Sequence, residues 1–330
     1  MLLKVHPGDP STGTEARLEN IHVSDFPETV LFLQEIIFHD NEDPSTGHIV
    51  VTFKPPQGSE AEERKLEVPL TPDTKYLEVV EVVMHSSPAE AYNMGSRYNS
   101  WFSECLGYPV VFAYLGPNLR PVLGNVSPNA ASQKADPAGS WLSSITKSIP
   151  AVLGGTSREE EGITFADCAA YLVVTEESLK DVSSRLPEGE EMDMTKFRPN
   201  IVLKKSSAAW DEDFWGELTF ASSQHRGTGI FKDDEASRNG ETKIILTQNC
   251  ARCKSINIDY ATGKPGQGEA GSMLKKLMKD RRVDAGTKYS PVFGRYGFLK
   301  AGAGEGPSIA VGDQVTVSKR NVERTEFGGS

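Results

Sequence analysis

Residues 249–253, which read NCARC, are the part of this chain best suited to carry out chemistry. The run sets Cys250 and Cys253 on either side of an arginine, and it directly follows an apolar, strand-like segment. Thiolates are the soft ligands that transition metals select, and a neighbouring arginine favours the charged form of a thiol. A structural zinc site needs about four ligands. Since Cys105 and Cys168 stand apart from the run, the spacing predicts either one metal-binding thiolate or a pair of buried cysteines.

A second string with chemical potential is FRPNIVL, at residues 197–203. Arg198 has a planar fork of donors that can bind a phosphate through two hydrogen bonds. Pro199 fixes its own φ and biases Arg198 toward an extended backbone, which would place Arg198 and Asn200 at the start of a strand. The string predicts an anion-binding position, and a surface or interdomain salt bridge of Arg198 is the alternative.

The order of several short strings over residues 161–317 resembles the MOSC-domain family, and within it the amidoxime-reducing components of mitochondria and their fungal relatives. The strings are FAD at 165–167, TEESL at 175–179, FRPN at 197–200, EDFW at 212–215, CARC at 250–253, FGRY at 293–296 and IAVGDQV at 309–315. The resemblance implies an α+β fold. Residues 1–125 would form an incomplete β-rich N-terminal MOSC domain, 126–160 a linker or insertion, and 161–320 a MOSC β-barrel with flanking helices.

The resemblance also implies a molybdenum cofactor, a pterin that carries a dithiolene and a phosphate. Cys253 would be the metal ligand and the catalytic residue, whereas Cys250 would be structural. The implied cofactor-binding residues are Arg198, Asn200, Tyr296, Asp167, Cys168 and Ala169. Cys168 and Ala169 replace small hydroxyl residues of the relatives, so we expect backbone N–H groups to serve there. Binding of pyridoxal phosphate is also ascribed to the family, without a residue here to which we can assign it.

The implied reaction is the reduction of small N-hydroxylated substrates. Electrons would come from a b-type cytochrome and its NADH-dependent flavin reductase. The alternatives are a non-enzymatic sulfur or molybdenum-cofactor carrier that uses Cys253, and a degenerate MOSC protein without cofactor. The family's Lys-Ser and Asp-Arg pairs would precede residues 1–5 and are absent, so we expect a missing first strand and an open strand edge at that place.

Composition restricts the class of protein. The 330 residues carry a formal net charge of −11, which argues against a nucleic-acid surface. No apolar run approaches the roughly 20 residues of a membrane span, and the few cysteines suit a reducing, intracellular location. This would be the cytosol, or the cytosolic face of the mitochondrial outer membrane if an anchor lies upstream. The zinc-hydrolase motif HExxH, the serine-hydrolase motif GxSxG and a Walker A loop are absent from the sequence.

The N-terminal elements follow from periodicity. Alternating apolar and polar residues predict short strands through residues 1–125. Residues 87–106 are predicted to be a helix that begins at Pro88, with an apolar face every three to four residues. A Pro-, Ser- and Gly-rich stretch at 116–162 predicts a linker with a short helix near 141–149.

In the second half, a buried strand is predicted at residues 169–174. Thr175 is the expected N-cap of a helix that reaches Arg185. Further strands are predicted at 200–203, 217–220, 243–246 and 255–258. A basic amphipathic helix at 272–282 is expected to be solvated, with partner docking as the alternative. The glycine-rich loop 263–268 is a candidate rim of a substrate opening.

Overall fold

The computed structural model describes residues 1–8, 11–39, 46–85, 87–122, 162–221, 241–300 and 308–328. Within these ranges strands predominate over helices, and the predicted α+β class is confirmed. The predicted linker at 126–160 and its helix near 141–149 lie outside the described residues, so both stay predictions. None of the described helices is both long and apolar enough to span a bilayer.

The first part of the chain forms two antiparallel sheets and a helix. Its elements are β1 (Leu2–His6), β2 (Arg17–Asn20), β3 (Phe32–Ile37), β4 (His48–Phe53), β5 (Arg64–Pro69), β6 (Val79–Met84), β7 (Ser87–Asn93), α1 (Ser96–Leu106), β8 (Val110–Tyr114) and β9 (Arg120–Pro121). One sheet has the order β2-β1-β8-β7-β6, and the other has the order β3-β4-β5. The aromatic rings of Phe32, Phe53 and Phe102 pack in the core between α1 and the strands.

Strand β1 is not the open edge that the sequence suggested. It pairs antiparallel with β2 on one side, where Val5 lies opposite Leu18, and with β8 on the other, where Leu3 lies opposite Val111. The outer strands of this sheet are β2 and β6. The backbone of β1 is therefore hydrogen-bonded on both sides.

The single helix predicted at residues 87–106 is wrong in its first half. Ser87–Asn93 is strand β7, which pairs with β6, and only Ser96–Leu106 is helical. Gly95, at a φ of 85°, separates the two elements with a backbone conformation that glycine adopts without strain. Pairing with β6 outweighs the local preference for a helix, because a ladder of backbone hydrogen bonds and the burial of Ala91 stabilise the strand.

The second part of the chain is built around one large sheet. Its elements are β10 (Gly162–Ile163), β11 (Tyr171–Thr175), α2 (Glu176–Ser183), β12 (Ile201–Leu203), β13 (Trp215–Ala221), β14 (Thr242–Ala251), β15 (Ile258–Asp259), β16 (Lys264–Pro265), α3 (Met273–Leu277), β17 (Val292–Leu299) and β18 (Gln314–Arg320). Six of these strands form a barrel-like sheet in the order β12-β11-β17-β14-β13-β18. Strand β14 is longer than predicted and reaches the cysteine run.

Other elements in this half also differ from the prediction. Thr175 does cap α2, since its side chain accepts a hydrogen bond from the Ser178 N–H at 3.2 Å, but α2 ends at Ser183 rather than Arg185. The predicted strand at 255–258 is instead a 3-10 helix, Lys254–Asn257, followed by the short β15.

The predicted basic helix is also shorter and less solvated than expected. Only Met273–Leu277 is α-helical, and both of those end residues are fully buried. Arg281 belongs to the segment that was predicted to be a solvated helix. Its side chain is only 4% exposed, however, and it binds both carboxylate oxygens of Asp213 at 2.9 Å. A nearby carboxylate from a distant part of the sequence makes burial of this charge favourable, which charge patterning cannot reveal.

Candidate functional site

A cavity of about 180 Å³ opens where the ends of β11, β12, β14 and β17 meet. Leu172 of β11 lies opposite Tyr296 of β17, and Asn249 of β14 lies opposite Arg295. The sequence-predicted residues that line it are Asp167, Ala169, Arg198, Asn200, Cys253 and Tyr296. Its wall also includes Phe197, Arg252 and Ser255, which the sequence analysis had not assigned to a site. Cys168 is not part of the lining and packs against the core behind it.

The two cysteines of the NCARC run have different environments. Cys250 is 2% exposed, and its Sγ accepts a hydrogen bond from Arg252 Nη1 at 2.9 Å. Cys253 is exposed, and its Sγ lies 3.2 Å from Ser255 Oγ. The predicted pair of buried cysteines is therefore wrong, because only Cys250 is buried, and metal binding by Cys253 stays a prediction. Cys250 is a core cysteine, and Cys253 is the thiol that a ligand can reach.

Arg252 is a buried cation in the cavity wall. Its Nη2 donates to the carbonyl oxygen of Phe197 at 2.8 Å, and its guanidinium lies 5.4 Å from the centre of the Phe197 ring. Its Nε is buried and has no hydrogen-bond partner within the described part of the chain. Arginine stays protonated in proteins, so this residue makes the wall of the cavity electropositive. The sequence shows that the run contains an arginine, but only the structure shows that its side chain lies in the cavity wall.

Arg198 has a backbone that the sequence analysis predicted incorrectly. It lies in the left-handed region, with φ 54° and ψ 44°, rather than in the extended conformation expected before a proline. The reason is local hydrogen bonding. Arg198 is the C-cap of the 3-10 helix Met194–Phe197, and its N–H donates to the carbonyl oxygen of Thr195 at 2.9 Å. The turned backbone leaves the guanidinium exposed beside the cavity, 3.4 Å from Asp167 Oδ2.

Asn200 joins the start of β12 to β11. Its backbone N–H donates to the carbonyl oxygen of Leu172 at 3.0 Å, and its side-chain oxygen accepts from the Leu172 N–H at 2.8 Å. The carboxamide oxygen is thus used within the protein, and the NH₂ group is the donor that Asn200 can offer a ligand.

Asp167 is held from several sides. The buried Arg120 donates through Nε to the carbonyl oxygen of Thr164 at 2.9 Å, and through Nη2 to the carbonyl oxygens of Ala166 and Asp167. His85 Nε2 lies 3.7 Å from Asp167 Oδ1. The pKa of Asp167 is lowered because His85, Arg198 and Arg252 favour its carboxylate, although burial opposes this. Arg120 and His85 precede the second half of the chain, and no sequence pattern indicated that they approach this loop.

Tyr296 and Cys168 keep their protons at neutral pH. Burial raises the pKa of Tyr296 well above its ordinary value. Burial, reinforced by the charge of Asp167, raises the pKa of the Cys168 thiol to about 11. Cys168 is therefore a neutral thiol in this protein, and the expected contact of its backbone with a ligand stays a prediction.

The glycine-rich loop does not line this cavity. A Cβ on Gly263 would meet the side chain of Leu31 at 2.9 Å, so this loop packs against the first part of the chain. Within the described ranges, no group of three or more His, Cys, Asp or Glu residues is arranged to hold a metal ion.

Comparison with known proteins agrees with the resemblance seen in the sequence. Residues 160–316 match the model of the MOSC domain family. Mitochondrial amidoxime-reducing component 1 of Homo sapiens is 29% identical over 163 residues, which is 48% of this chain and 40% of that protein. Mitochondrial amidoxime reducing component 2 of Macaca fascicularis is 32% identical over 155 residues, 46% of this chain and 38% of that protein.

A third relative has a different name. Molybdenum cofactor sulfurase of Oryza sativa subsp. japonica is 24% identical over 202 residues, 56% of this chain and 18% of that protein. The chain thus aligns with less than half the length of each of these relatives. The predicted resemblance to MOSC-domain proteins of the amidoxime-reducing type is confirmed.

Proposed function

From the match of residues 160–316 to the MOSC domain family model, we propose that this protein is a molybdenum-cofactor-binding oxidoreductase that reduces N-hydroxylated compounds. The observation that carries the proposal is that one cavity brings together an exposed thiol, Cys253, and two guanidinium groups, Arg198 and Arg252. This is a soft metal ligand beside an anion-binding surface.

The residues present fit such a cofactor. A dithiolene supplies sulfur ligands of its own, so a protein that contributes a single cysteine needs no cluster of metal-binding side chains. The buried Nε of Arg252, which has no partner within the described residues, is a donor that an acceptor atom of a ligand would satisfy. The donor set of the cavity is thus suited to a molecule that is anionic and carries a soft metal.

Each residue has a distinct role in the proposal. Cys253 holds the metal, and Arg198 binds the phosphate. The side-chain NH₂ of Asn200 and the protonated hydroxyl of Tyr296 would donate to polar groups of the pterin, while Ala169 and the carboxylate of Asp167 would border it. When bound, the cofactor supplies two-electron oxygen-atom chemistry, and the protein fixes its position and electrostatic surroundings.

Electrons come, in this proposal, from a b-type cytochrome that is reduced by an NADH-dependent flavin reductase. The substrates are small amidoximes, hydroxylamines and related N–O compounds. The proposed location is the cytosol or the cytosolic face of the mitochondrial outer membrane, which fits the names of the relatives.

The proposal is tested on the purified full chain. Elemental analysis and pterin fluorescence should find molybdenum and pterin in comparable molar amounts. With a b-type cytochrome, its flavin reductase, NADH and benzamidoxime, NADH consumption should require all four components and this protein. Protein that carries neither molybdenum nor pterin after expression in a cofactor-producing host would contradict the proposal.

A non-enzymatic carrier of sulfur or of the cofactor is the second candidate. It is favoured by the exposure of the Cys253 thiol and by the relative named molybdenum cofactor sulfurase. A carrier would hold a persulfide on Cys253, detectable by mass spectrometry of the intact protein, and would not turn over benzamidoxime. Turnover without a persulfide favours the oxidoreductase.

We expect Arg198→Lys to retain much less molybdenum after gel filtration than the wild-type protein does, on the order of tenfold less. Lysine keeps the positive charge but cannot reproduce the two parallel hydrogen bonds that a guanidinium makes to a phosphate. Arg97→Lys, at an exposed position on α1, is the matched control and should keep full occupancy. Equal molybdenum content in both variants would mean that Arg198 does not bind the phosphate.

A further inference from the structure

Asp167 creates an electrostatic difficulty for a cavity that accepts an anion. Its carboxylate lines the cavity and lies 3.4 Å from Arg198 Nη2, so it competes for the guanidinium that an anionic ligand would use. It also repels any negative group that enters. The electrostatic interaction between two unit charges about 4 Å apart near a protein surface is strong enough to change a binding constant several-fold or more.

His85 lies on the opposite side of the same carboxylate. Its Nε2 is 3.7 Å from Asp167 Oδ1, whereas Arg198 approaches Oδ2. The two carboxylate oxygens are therefore divided between a permanent cation and an imidazole, which carries a charge only when it is protonated. The backbone of His85 has a φ of 51°, in the left-handed region where asparagine, aspartate and histidine are enriched among residues other than glycine.

Other charged and titratable groups of the described residues surround this pair, among them the buried Arg120 guanidinium, which donates to the Asp167 carbonyl oxygen, the Cys168 thiol and the Tyr296 hydroxyl. The ring of His22 lies 6.0 Å from that of His85. Arg252 acts on Asp167 from the cavity wall. Beyond His22, Asp25 is paired with Lys254 at 3.0 Å. Asp25 is thus paired with a lysine, and Asp167 is the carboxylate that lies within 4.0 Å of His85.

We propose that His85 is a positioning residue for anion binding: when protonated, it balances the charge of Asp167 and leaves the Arg198 guanidinium to bind a phosphate or similar oxyanion. The residue belongs to the turn between β6 and β7, outside the region that matches the MOSC domain, so the first part of the chain sets the affinity of a site in the second. The identity of the anion as the cofactor phosphate rests on the proposed function.

Sulfate is the probe that tests this inference, because it stays a dianion across the pH range in which histidine titrates. Binding is measured by calorimetry on cofactor-free protein at pH 6 and pH 8 and at constant ionic strength, with circular dichroism to verify folding. The wild-type protein should bind sulfate roughly threefold to tenfold more tightly at pH 6. His85→Asn should bind it equally at both pH values, since asparagine tolerates the positive φ and cannot take a charge.

Four further variants make the result specific. Arg198→Met should lose the pH-dependent binding, and His48→Asn, in the β3-β4-β5 sheet, should behave as wild type. His85→Gln repeats the test should the asparagine variant not fold. The inference is overturned if His85→Asn and His85→Gln keep the pH difference, if His22→Asn alone removes it, or if Arg198→Met binds sulfate as the wild type does.

A second readout separates this inference from the proposed function. Cofactor-loaded wild-type protein dialysed at pH 6 and pH 8 should lose more molybdenum at pH 8, and His85→Asn should show no such difference. If wild-type protein contains no molybdenum but shows the pH-dependent sulfate binding, the proposed function fails and the role of His85 in anion binding stands.

Discussion

Cys253→Ala is expected to lose amidoxime reduction by about two orders of magnitude or more, together with most of the bound molybdenum. Changes to residues that only orient metal ligands already cost on the order of 10- to 100-fold, so loss of the sole proposed protein ligand should cost at least as much. The measurements are benzamidoxime-dependent NADH oxidation and molybdenum content, determined on the same preparation.

The other cysteines provide the controls. Cys250→Ser keeps a group that can accept from Arg252 Nη1, so we expect this variant to retain a large part of the activity. Cys105 packs against the core of the first part of the chain and does not line the cavity. We therefore expect Cys105→Ser to be as active as the wild type. Wild-type activity in Cys253→Ala, or loss of activity in Cys250→Ser without unfolding, would contradict the assignment of the ligand.

The second large effect is expected on stability. Asp213→Ala should lower the free energy of unfolding by about 3–5 kcal/mol, because it removes the carboxylate that balances buried cations. Asp213 is fully buried, accepts two hydrogen bonds of 2.9 Å from Arg281 Nη2, and accepts a third of 2.8 Å from Arg324 Nε. Arg281 also stacks on Trp210 at 3.8 Å and cannot leave this position easily.

Urea unfolding at pH 7 checks this expectation. Glu104→Gln, which breaks the exposed pair with Arg64, is the control and should change stability by about 1 kcal/mol or less. The backbone carbonyl oxygen of Asp213 also accepts a hydrogen bond from Arg295 Nη1. The same nitrogen donates to Oδ1 of Asn249, the first residue of the NCARC run, at 2.8 Å. A loss of less than about 1 kcal/mol in Asp213→Ala would mean that Arg281 and Arg324 find other partners.

Local sequence was sufficient for the features that depend on short-range order. The order of the short amino-acid strings along the chain predicted the α+β class and the MOSC resemblance, and both are confirmed. The Thr175 cap was also predicted correctly, because an N-cap needs only a hydroxyl and an N–H a few residues away. The candidate site residues gather at one cavity, apart from Cys168, while their roles in binding a cofactor stay a prediction.

Features that depend on distant partners were decided only by the tertiary structure. Residues 87–93 form a strand because β6 lies beside them, and Arg281 is buried because Asp213 reaches it from far along the chain. The same holds for Asp167, whose surroundings include His85 and Arg120. A sequence displays which groups can carry charge or donate hydrogen bonds. Which of them meet depends on pairing across long separations, where burial and electrostatic balance outweigh local preference.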